Sequence, residues 1–148
     1  MKNPNYSNCV MYRFVCKDPT VDHCYVGSTC NWVQRKATHK QGCNKPNSRH
    51  YHLSIYQIMR QYGGWDNWNM ILIERFPCEN RIDAAKRERY WYETYKPSMN
   101  LILPYQTRKE GNHIYYTNNK NKWEVYNRHR NKKVIAPCDE GEQSEHIV

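Results

Sequence analysis

A carboxylate occupies the place in one segment where an amphipathic helix would normally put an apolar side chain. A helical wheel of residues 81–100 collects small and aromatic side chains on one side, namely Ala84, Ala85, Trp91, Tyr92 and Tyr95. Glu88 falls in the middle of that side. Burying an ionised carboxylate is costly unless it is paired, hydrogen-bonded or bound to a cation. Two interpretations follow: a structural ion pair with a buried arginine, or an acid that binds a cation.

An arginine and a histidine form the second candidate group. Arg35 and His39 are spaced i, i+4 in the segment NWVQRKATHK, for which Asn31 is a suitable N-cap. This spacing places both side chains on one helix face, with Trp32 one turn earlier on the same side. Two donors on one face can hold a phosphate, although a solvated helix surface shows the same spacing.

Two β-prone segments must position the next candidates. CVMYRFVC (9–16) and HCYVGST (23–29) flank the turn residues KDPTVD, which predicts an antiparallel hairpin. Tyr12 lies on the first strand and Tyr25 on the second. Gly27 ends the second strand, where a bare backbone can approach a ligand closely. Strand tyrosines on their own are most often packing residues.

The following segment predicts a helix from about residue 50 to residue 62. Asn47 or Ser48 would cap it, and His50 would stand at its N-terminal end. Its core-facing stripe has the spacing i, i+3, i+4, i+7 and consists of Ile55, Ile58, Met59 and Tyr62.

The apolar run NMILIER predicts a third strand in a central, buried position. The helix that carries Glu88 would then begin after Asn80 and end before Pro97. The order β, β, α, α, β, α predicts an α+β fold, with a small three-stranded antiparallel sheet flanked by helices.

The composition indicates a polyanionic partner. The 148 residues carry 23 Lys and Arg against 14 Asp and Glu, a net charge of +9, which favours nucleic acid over a membrane surface. No apolar run approaches the length of a membrane span, and the N-terminal segment lacks the hydrophobic region of a signal peptide. We therefore expect a soluble, intracellular protein, in the cytoplasm or nucleus, with no membrane partner.

The chain divides into a globular domain, residues 1–104, and a basic extension with an acidic tail, residues 105–148. Residues 105–133 carry eight Lys and Arg against two Glu, while residues 134–148 carry four acidic residues and no Lys or Arg. The segments HIYY and WEVY predict a small hairpin with a basic tip. A partly disordered basic arm is the alternative.

In their order along the chain, these segments resemble the GIY-YIG endonuclease family. The matching residues are Val10-Met11-Tyr12, Tyr25-Val26-Gly27-Ser28, Arg35, His39, Glu88 in RERYWY and Asn100 in KPSMN. Val-Met stands for Gly-Ile in the first motif and Val for Ile in the second, while the tyrosine and glycine positions keep their identities. The resemblance covers roughly residues 9–104 and is closest to the catalytic domains of phage and viral homing-type enzymes.

The resemblance implies an endonuclease that hydrolyses DNA phosphodiester bonds. Glu88 would hold a divalent metal ion, Mg²⁺ or Mn²⁺, with substrate phosphate completing a sparse site. Arg35 suits the scissile phosphate because its guanidinium is a fixed fork of donors. Tyr12 is the candidate general base or water-orienting group, and His39 is its rival for that role. The expected catalytic residues are Tyr12, Tyr25, Arg35, His39, His50, Glu88 and Asn100.

Of the remaining members of this set, His50 is expected to assist the site. Asn100 is expected to orient its neighbours by hydrogen bonds or to be purely structural. The expected DNA contacts are Gly27, Lys36, Lys40, Lys45, Arg49, Arg87, Lys120 and Lys122.

Two other functions remain in view: a structure-specific DNA repair nuclease and a non-catalytic nucleic-acid-binding module. The complete catalytic set argues against the second. The extension has no zinc-finger or helix-turn-helix signature, which predicts a short or relaxed sequence preference. The target, nicking versus double-strand cutting, and the oligomeric state, including a transient dimer on DNA, are open.

Overall fold

The structure, a computed structural model, describes residues 4–122, 124–125 and 127–128. The chain forms two compact units that divide between Tyr105 and Gln106. All of the predicted catalytic residues lie in the first unit.

The first unit is built on a sheet of three antiparallel strands, β1 (Val10–Cys16), β2 (Cys24–Thr29) and β3 (Trp68–Arg75). The strand order is β2-β1-β3, so the first strand is central. Tyr12 of β1 pairs with Gly27 of β2 on one side and with Leu72 of β3 on the other. Together with the flanking helices, this sheet confirms the predicted α+β fold class.

The expectation that β3 is central and buried is wrong. β3 lies at the sheet edge, and the side chains of Ile71 and Leu72 remain 38% and 41% exposed. β1 takes the central place because its side chains are buried on both faces. An apolar run alone does not distinguish a central strand from an edge strand.

Three helices flank the sheet: α1 (Trp32–Asn44), α2 (Ser54–Gln61) and α3 (Arg81–Tyr95). The predicted N-caps of α1 and α3 are present, since Asn31 accepts the Gln34 N–H at 3.0 Å and Asn80 accepts the Ile82 N–H at 2.8 Å. α3 ends at Lys96, whose φ of 47° is left-handed, immediately before Pro97.

The predicted start of α2 is wrong. The helix begins at Ser54, without a side-chain cap, and neither Asn47 nor Ser48 caps it. The preceding residues form consecutive turns, in which Tyr51 N–H donates to the Ser48 carbonyl and Leu53 N–H to the His50 carbonyl. His50 therefore stands in a turn before the helix.

The helices pack on opposite faces of the sheet because the side chains of β1 alternate. Tyr12 and Phe14 point toward α1 and α2 and join the larger buried cluster. Met11 points the other way, toward Ala84 of α3. β2 is an edge strand, so side chains from the two helical layers can meet beside it.

The second unit begins with α4 (Arg108–Asn118), which starts with a capping box formed by Thr107 and Glu110. The strand predicted for HIYY, residues 113–116, is wrong because this capped segment is helical. WEVY and the acidic tail fall partly or wholly outside the described residues. The division of the chain into domains therefore stays a prediction. Among the described residues, no helix combines the length and apolarity that a membrane span requires.

Candidate active site

A cavity of about 360 Å³ opens beside the edge strand β2. It brings together six of the seven predicted catalytic residues, which are Tyr25, Arg35, His39, His50, Glu88 and Asn100. Tyr12 lies directly beneath it, fully buried, and its hydroxyl contacts Arg35 and His39. Residues far apart in sequence and on both faces of the sheet thus converge on one place.

Arg35 lies at the base of the cavity and contacts Tyr12. Its Nε donates to the Tyr12 hydroxyl at 2.9 Å, and its guanidinium lines the cavity together with Tyr25. Because a guanidinium carries five N–H donors in a fixed fork, donors remain for an anion in the cavity.

Tyr12 keeps its proton in this arrangement. Burial, followed by the neighbouring Tyr25, raises the pKa of the Tyr12 phenol well above its usual range, although Arg35 acts in the opposite direction. The hydroxyl is therefore a hydrogen-bonding group at neutral pH and not a free phenolate.

His39 is buried between two tyrosines. Tyr12 Oη lies 2.8 Å from its Nε2, and Tyr56 Oη lies 2.9 Å from its Nδ1. Burial, and then the neighbouring Arg35 guanidinium and His50 ring, lower the pKa of His39 to about 3. The imidazole is therefore neutral at physiological pH, with one nitrogen donating to a tyrosine and the other accepting.

This shifted pKa makes stability depend on pH. Between pH 6.5 and about 3, His39 is protonated in the unfolded chain but stays neutral in the folded protein. The free energy of unfolding therefore decreases as the pH falls through this window. We expect wild type to lose on the order of 2 kcal/mol more than His39→Gln between pH 7 and pH 5. Urea unfolding at the two pH values measures this difference. Parallel losses in the two proteins would contradict the assignment.

Glu88 reaches the cavity from α3. Its carboxylate accepts a hydrogen bond from Ser28 Oγ at 2.5 Å, and burial raises its pKa, partly opposed by Ser28 and by Arg35. Within the described part of the chain, the ion pairs join Arg87 with Glu74 and Arg89 with Glu93, and neither includes Glu88. The interpretation as a structural ion pair is therefore not supported, and the hydrogen bond from Ser28 is a partner that the structure shows for this half-buried acid.

The donor set around Glu88 fits a magnesium ion and not a metal that needs many protein ligands. In the described residues, no group of three or more His, Cys, Asp or Glu side chains could hold a metal. Mg²⁺ takes oxygen ligands, retains several waters and is commonly held by one or two carboxylates together with substrate phosphates. The single half-buried carboxylate of Glu88 is sufficient for that mode of binding.

Asn100 positions the strand that carries Tyr25. Its Oδ1 accepts the Val26 N–H at 2.9 Å, and its Nδ2 donates to the Val26 carbonyl at 2.8 Å. The amide thus completes the hydrogen bonding of β2 along its outer edge, as a fourth strand would. This geometry agrees with an orienting role.

The absence of a side chain at Gly27 makes room for two tyrosine rings. A Cβ at this position would lie 2.7 Å from Tyr12 Oη and 2.9 Å from Tyr25 Cε1. Packing alone therefore requires glycine here, and the contact of Gly27 with DNA stays a prediction.

We expect Gly27→Ala to lower the free energy of unfolding by about 1–3 kcal/mol, because the methyl group overpacks a buried site. Urea unfolding followed by tryptophan fluorescence measures the loss. Gly111→Ala in α4 is the matched control, since its Cβ would have no neighbour closer than 3.8 Å and alanine favours a helix. Equal effects of the two substitutions would show that Gly27 has no packing role.

The predicted DNA contacts are distributed unevenly. Arg87 donates from Nε and Nη2 to Glu74 at 2.7 and 2.9 Å, so its guanidinium is already committed to a carboxylate. Lys36 and Lys40 line a separate groove on the flank of α1. Lys45 and Arg49 are exposed, as are Lys120 and Lys122 in the second unit.

His50 lines the cavity from the turn before α2. Its Nε2 accepts a hydrogen bond from Arg49 Nε at 2.9 Å. Among the hydrogen bonds of the described residues, Arg49 is therefore the only predicted DNA contact that bonds to a side chain lining the cavity.

Sequence reasoning missed two residues of the site, Tyr56 and Ser28. Tyr56 sits on the apolar face of α2 next to Ile55, and a buried tyrosine hydroxyl normally needs a partner. That signal was available in the sequence, but it did not identify His39 as the partner. Ser28 was noticed only as part of the Tyr-Val-Gly-Ser motif, and its bond to Glu88 depends on how α3 packs on β2.

Comparison with known proteins gives one match. Residues 8–101, well over half of the chain, match the family model of the GIY-YIG catalytic domain. No curated protein and no solved structure shows significant similarity to the chain.

Proposed function

The chain belongs to the GIY-YIG family of nucleases, and from this membership we propose that it is a divalent-metal-dependent DNA endonuclease. The observation that carries the proposal is the half-buried carboxylate of Glu88, which has no ion pair in the described residues and shares a cavity with Arg35 and Tyr25. During hydrolysis of a phosphodiester, negative charge grows on the phosphoryl oxygens, where a guanidinium and a bound cation can both stabilise it.

Each side chain has a distinct role in this proposal. Arg35 binds the scissile phosphate through the N–H donors that the tyrosines leave unused, and Tyr12 fixes its orientation. Glu88 would hold Mg²⁺ or Mn²⁺, a Lewis acid that stabilises phosphoryl charge and lowers the pKa of its bound water. Ser28 holds the carboxylate in place.

The general base remains a choice between Tyr12 and His39. Tyr12 is protonated at neutral pH, and His39, with a pKa of about 3, is a weak base. Both belong to one hydrogen-bonded chain that runs from Arg35 through Tyr12 and His39 to Tyr56. We propose that this chain orients the attacking water, whose proton passes to the Tyr12 hydroxyl oxygen while Tyr12 passes its own proton to Nε2 of His39.

The biological class forms the finer part of the proposal. The sequence resemblance supports a homing or mobile-element enzyme from a phage or large DNA virus. A structure-specific repair nuclease is the alternative, and it is favoured by the exposed apolar pair beside the cavity that is described below.

A supercoiled plasmid tests the proposed activity directly. The purified full chain should convert it to nicked or linear DNA in the presence of Mg²⁺ or Mn²⁺, and EDTA should stop the conversion. Sequencing the ends would show whether one or both strands are cut. DNA binding without cleavage at any concentration of either metal would favour the non-catalytic binding module instead.

A further inference from the structure

Two adjacent aliphatic side chains project into solvent beside the candidate active site. Leu101 and Ile102 are 77% and 80% exposed, whereas Met99, two residues before them, is 2% exposed. A single exposed leucine is ordinary on a protein surface. Neighbouring apolar side chains at the rim of a site for a charged substrate suggest a binding role.

The short segment that carries this pair is fixed at both ends. On one side, Met99 N–H and the Asn100 amide are hydrogen-bonded to β2. On the other side, Arg89 Nη1 donates to the Tyr105 carbonyl at 3.3 Å, and Lys86 Nζ lies 5.5 Å from the Tyr105 ring centroid. The pair is thus presented on an anchored loop, which lowers the entropic cost of using it in binding.

Ile102 also stands between two concavities. It lines the candidate active-site cavity, and it lines a second, larger concavity that runs past the N-terminal segment and Arg81. Both concavities include Glu88. If a phosphodiester binds at Glu88, these two spaces can receive the nucleotides on either side of it, and Ile102 lies at the boundary between the spaces.

We propose that Leu101 and Ile102 form a wedge that enters duplex DNA at the scissile step and separates the two flanking bases. The substrate would then be duplex DNA that unstacks easily at the cleavage position. This inference rests on the proposed function, because DNA is taken as the occupant of the cavity that the wedge borders. The net charge of +9 favours a polyanion such as DNA over an apolar or basic protein as that occupant.

The physical basis is the free energy of unstacking. Leucine and isoleucine side chains inserted between base steps unstack and kink the duplex in other DNA-binding proteins, at a cost that added protein contacts offset. A mismatched step is already partly unstacked, so it demands less of that free energy. A wedge protein should therefore prefer mismatched to fully paired DNA.

Binding by a cleavage-deficient protein tests this preference without relying on catalysis. The full chain carrying Glu88→Gln is titrated, by fluorescence anisotropy, against a fully paired duplex and against the same duplex with one central mismatch. We expect at least about tenfold tighter binding to the mismatched duplex. 2-Aminopurine placed next to the mismatch should brighten on binding. Adding Leu101→Ala and Ile102→Ala should remove both effects.

A matched control uses exposed aliphatic residues that line neither concavity with Glu88. Val33 and Ile82 are 78% and 56% exposed, and the double change Val33→Ala, Ile82→Ala in the same Glu88→Gln protein should keep the mismatch preference. Equal affinity of the Glu88→Gln protein for the two duplexes would overturn the inference. So would an unchanged mismatch preference in the protein that also carries Leu101→Ala and Ile102→Ala. A protein that never cleaves plasmid but keeps a wedge-dependent preference would overturn the proposed nuclease function and not the wedge.

Two further measurements test whether the apolar pair contacts a second copy of the chain or another segment of the same chain. Sedimentation velocity of the free protein would reveal a dimer that the two alanine changes dissociate, which would assign the pair to a contact between copies. Thermal unfolding would reveal a marked loss of stability if another segment of the chain covered the pair, because exposed substitutions rarely change stability much. Either result would overturn the wedge, whereas unchanged values support it.

Discussion

Replacing Glu88 with glutamine should abolish metal-dependent cleavage of plasmid DNA while leaving the fold intact. Glutamine has the shape of glutamate and can still accept the hydrogen bond from Ser28, but it lacks the charge that holds a divalent cation. Loss of the cation removes several kcal/mol of transition-state stabilisation, which corresponds to a rate lower by about 10³-fold or more. Single-turnover nicking assays over a range of Mg²⁺ concentrations measure the loss.

Glu79→Gln provides the matched control because Glu79 is an exposed carboxylate just before α3. That variant should nick plasmid at the wild-type rate, and both variants should give wild-type circular dichroism spectra. Removal of a desolvated charge also makes Glu88→Gln as stable as wild type or more so at neutral pH, since burial raises the pKa of the native carboxyl. A Glu88→Gln protein that nicks DNA at a near-wild-type rate would eliminate this residue as the metal ligand.

The position of Glu88 shows why part of the site was predictable from sequence. A charge in the middle of an aromatic helix face is costly, and the structure shows this carboxyl half-buried on α3, with desolvation raising its pKa. The caps Asn31 and Asn80 were equally readable, because local hydrogen bonding determines where a helix begins. These features depend on neighbours within a few residues in the sequence.

The predictions that were wrong concern features that neighbouring residues in the sequence do not determine. The edge position of β3, the late start of α2 and the helical state of residues 113–116 depend on long-range packing or on competing local hydrogen bonds that periodicity does not rank. The packing of the Tyr12 ring over Gly27 is of the same kind, since it depends on the pairing of two strands. Local patterns do not predict such features, whereas the set of distant site residues came from the family resemblance.

The assembly of the cavity at β2 explains why these distant residues meet. Tyr12 and Tyr25 project from one face of the sheet toward Arg35 of α1, whereas Ser28 alternates to the other face and binds Glu88 of α3. Only an edge strand leaves room for the two layers to approach each other around it. Asn100 occupies the hydrogen-bonding groups that this edge would otherwise expose at Val26.

Changing Arg35 to lysine should lower the cleavage rate by about 10²-fold or more, even though the positive charge is formally retained. A single ammonium beside Tyr25 cannot donate to Tyr12 and also bind a phosphate with the geometry of a guanidinium. A half-buried lysine also loses its proton more readily than an arginine. Single-turnover nicking measures the effect, with Arg75→Lys, at an exposed position at the end of β3, as the control that should keep the wild-type rate. Near-wild-type cleavage by Arg35→Lys would show that the phosphate is held by some other group, because charge alone would then be sufficient at this position.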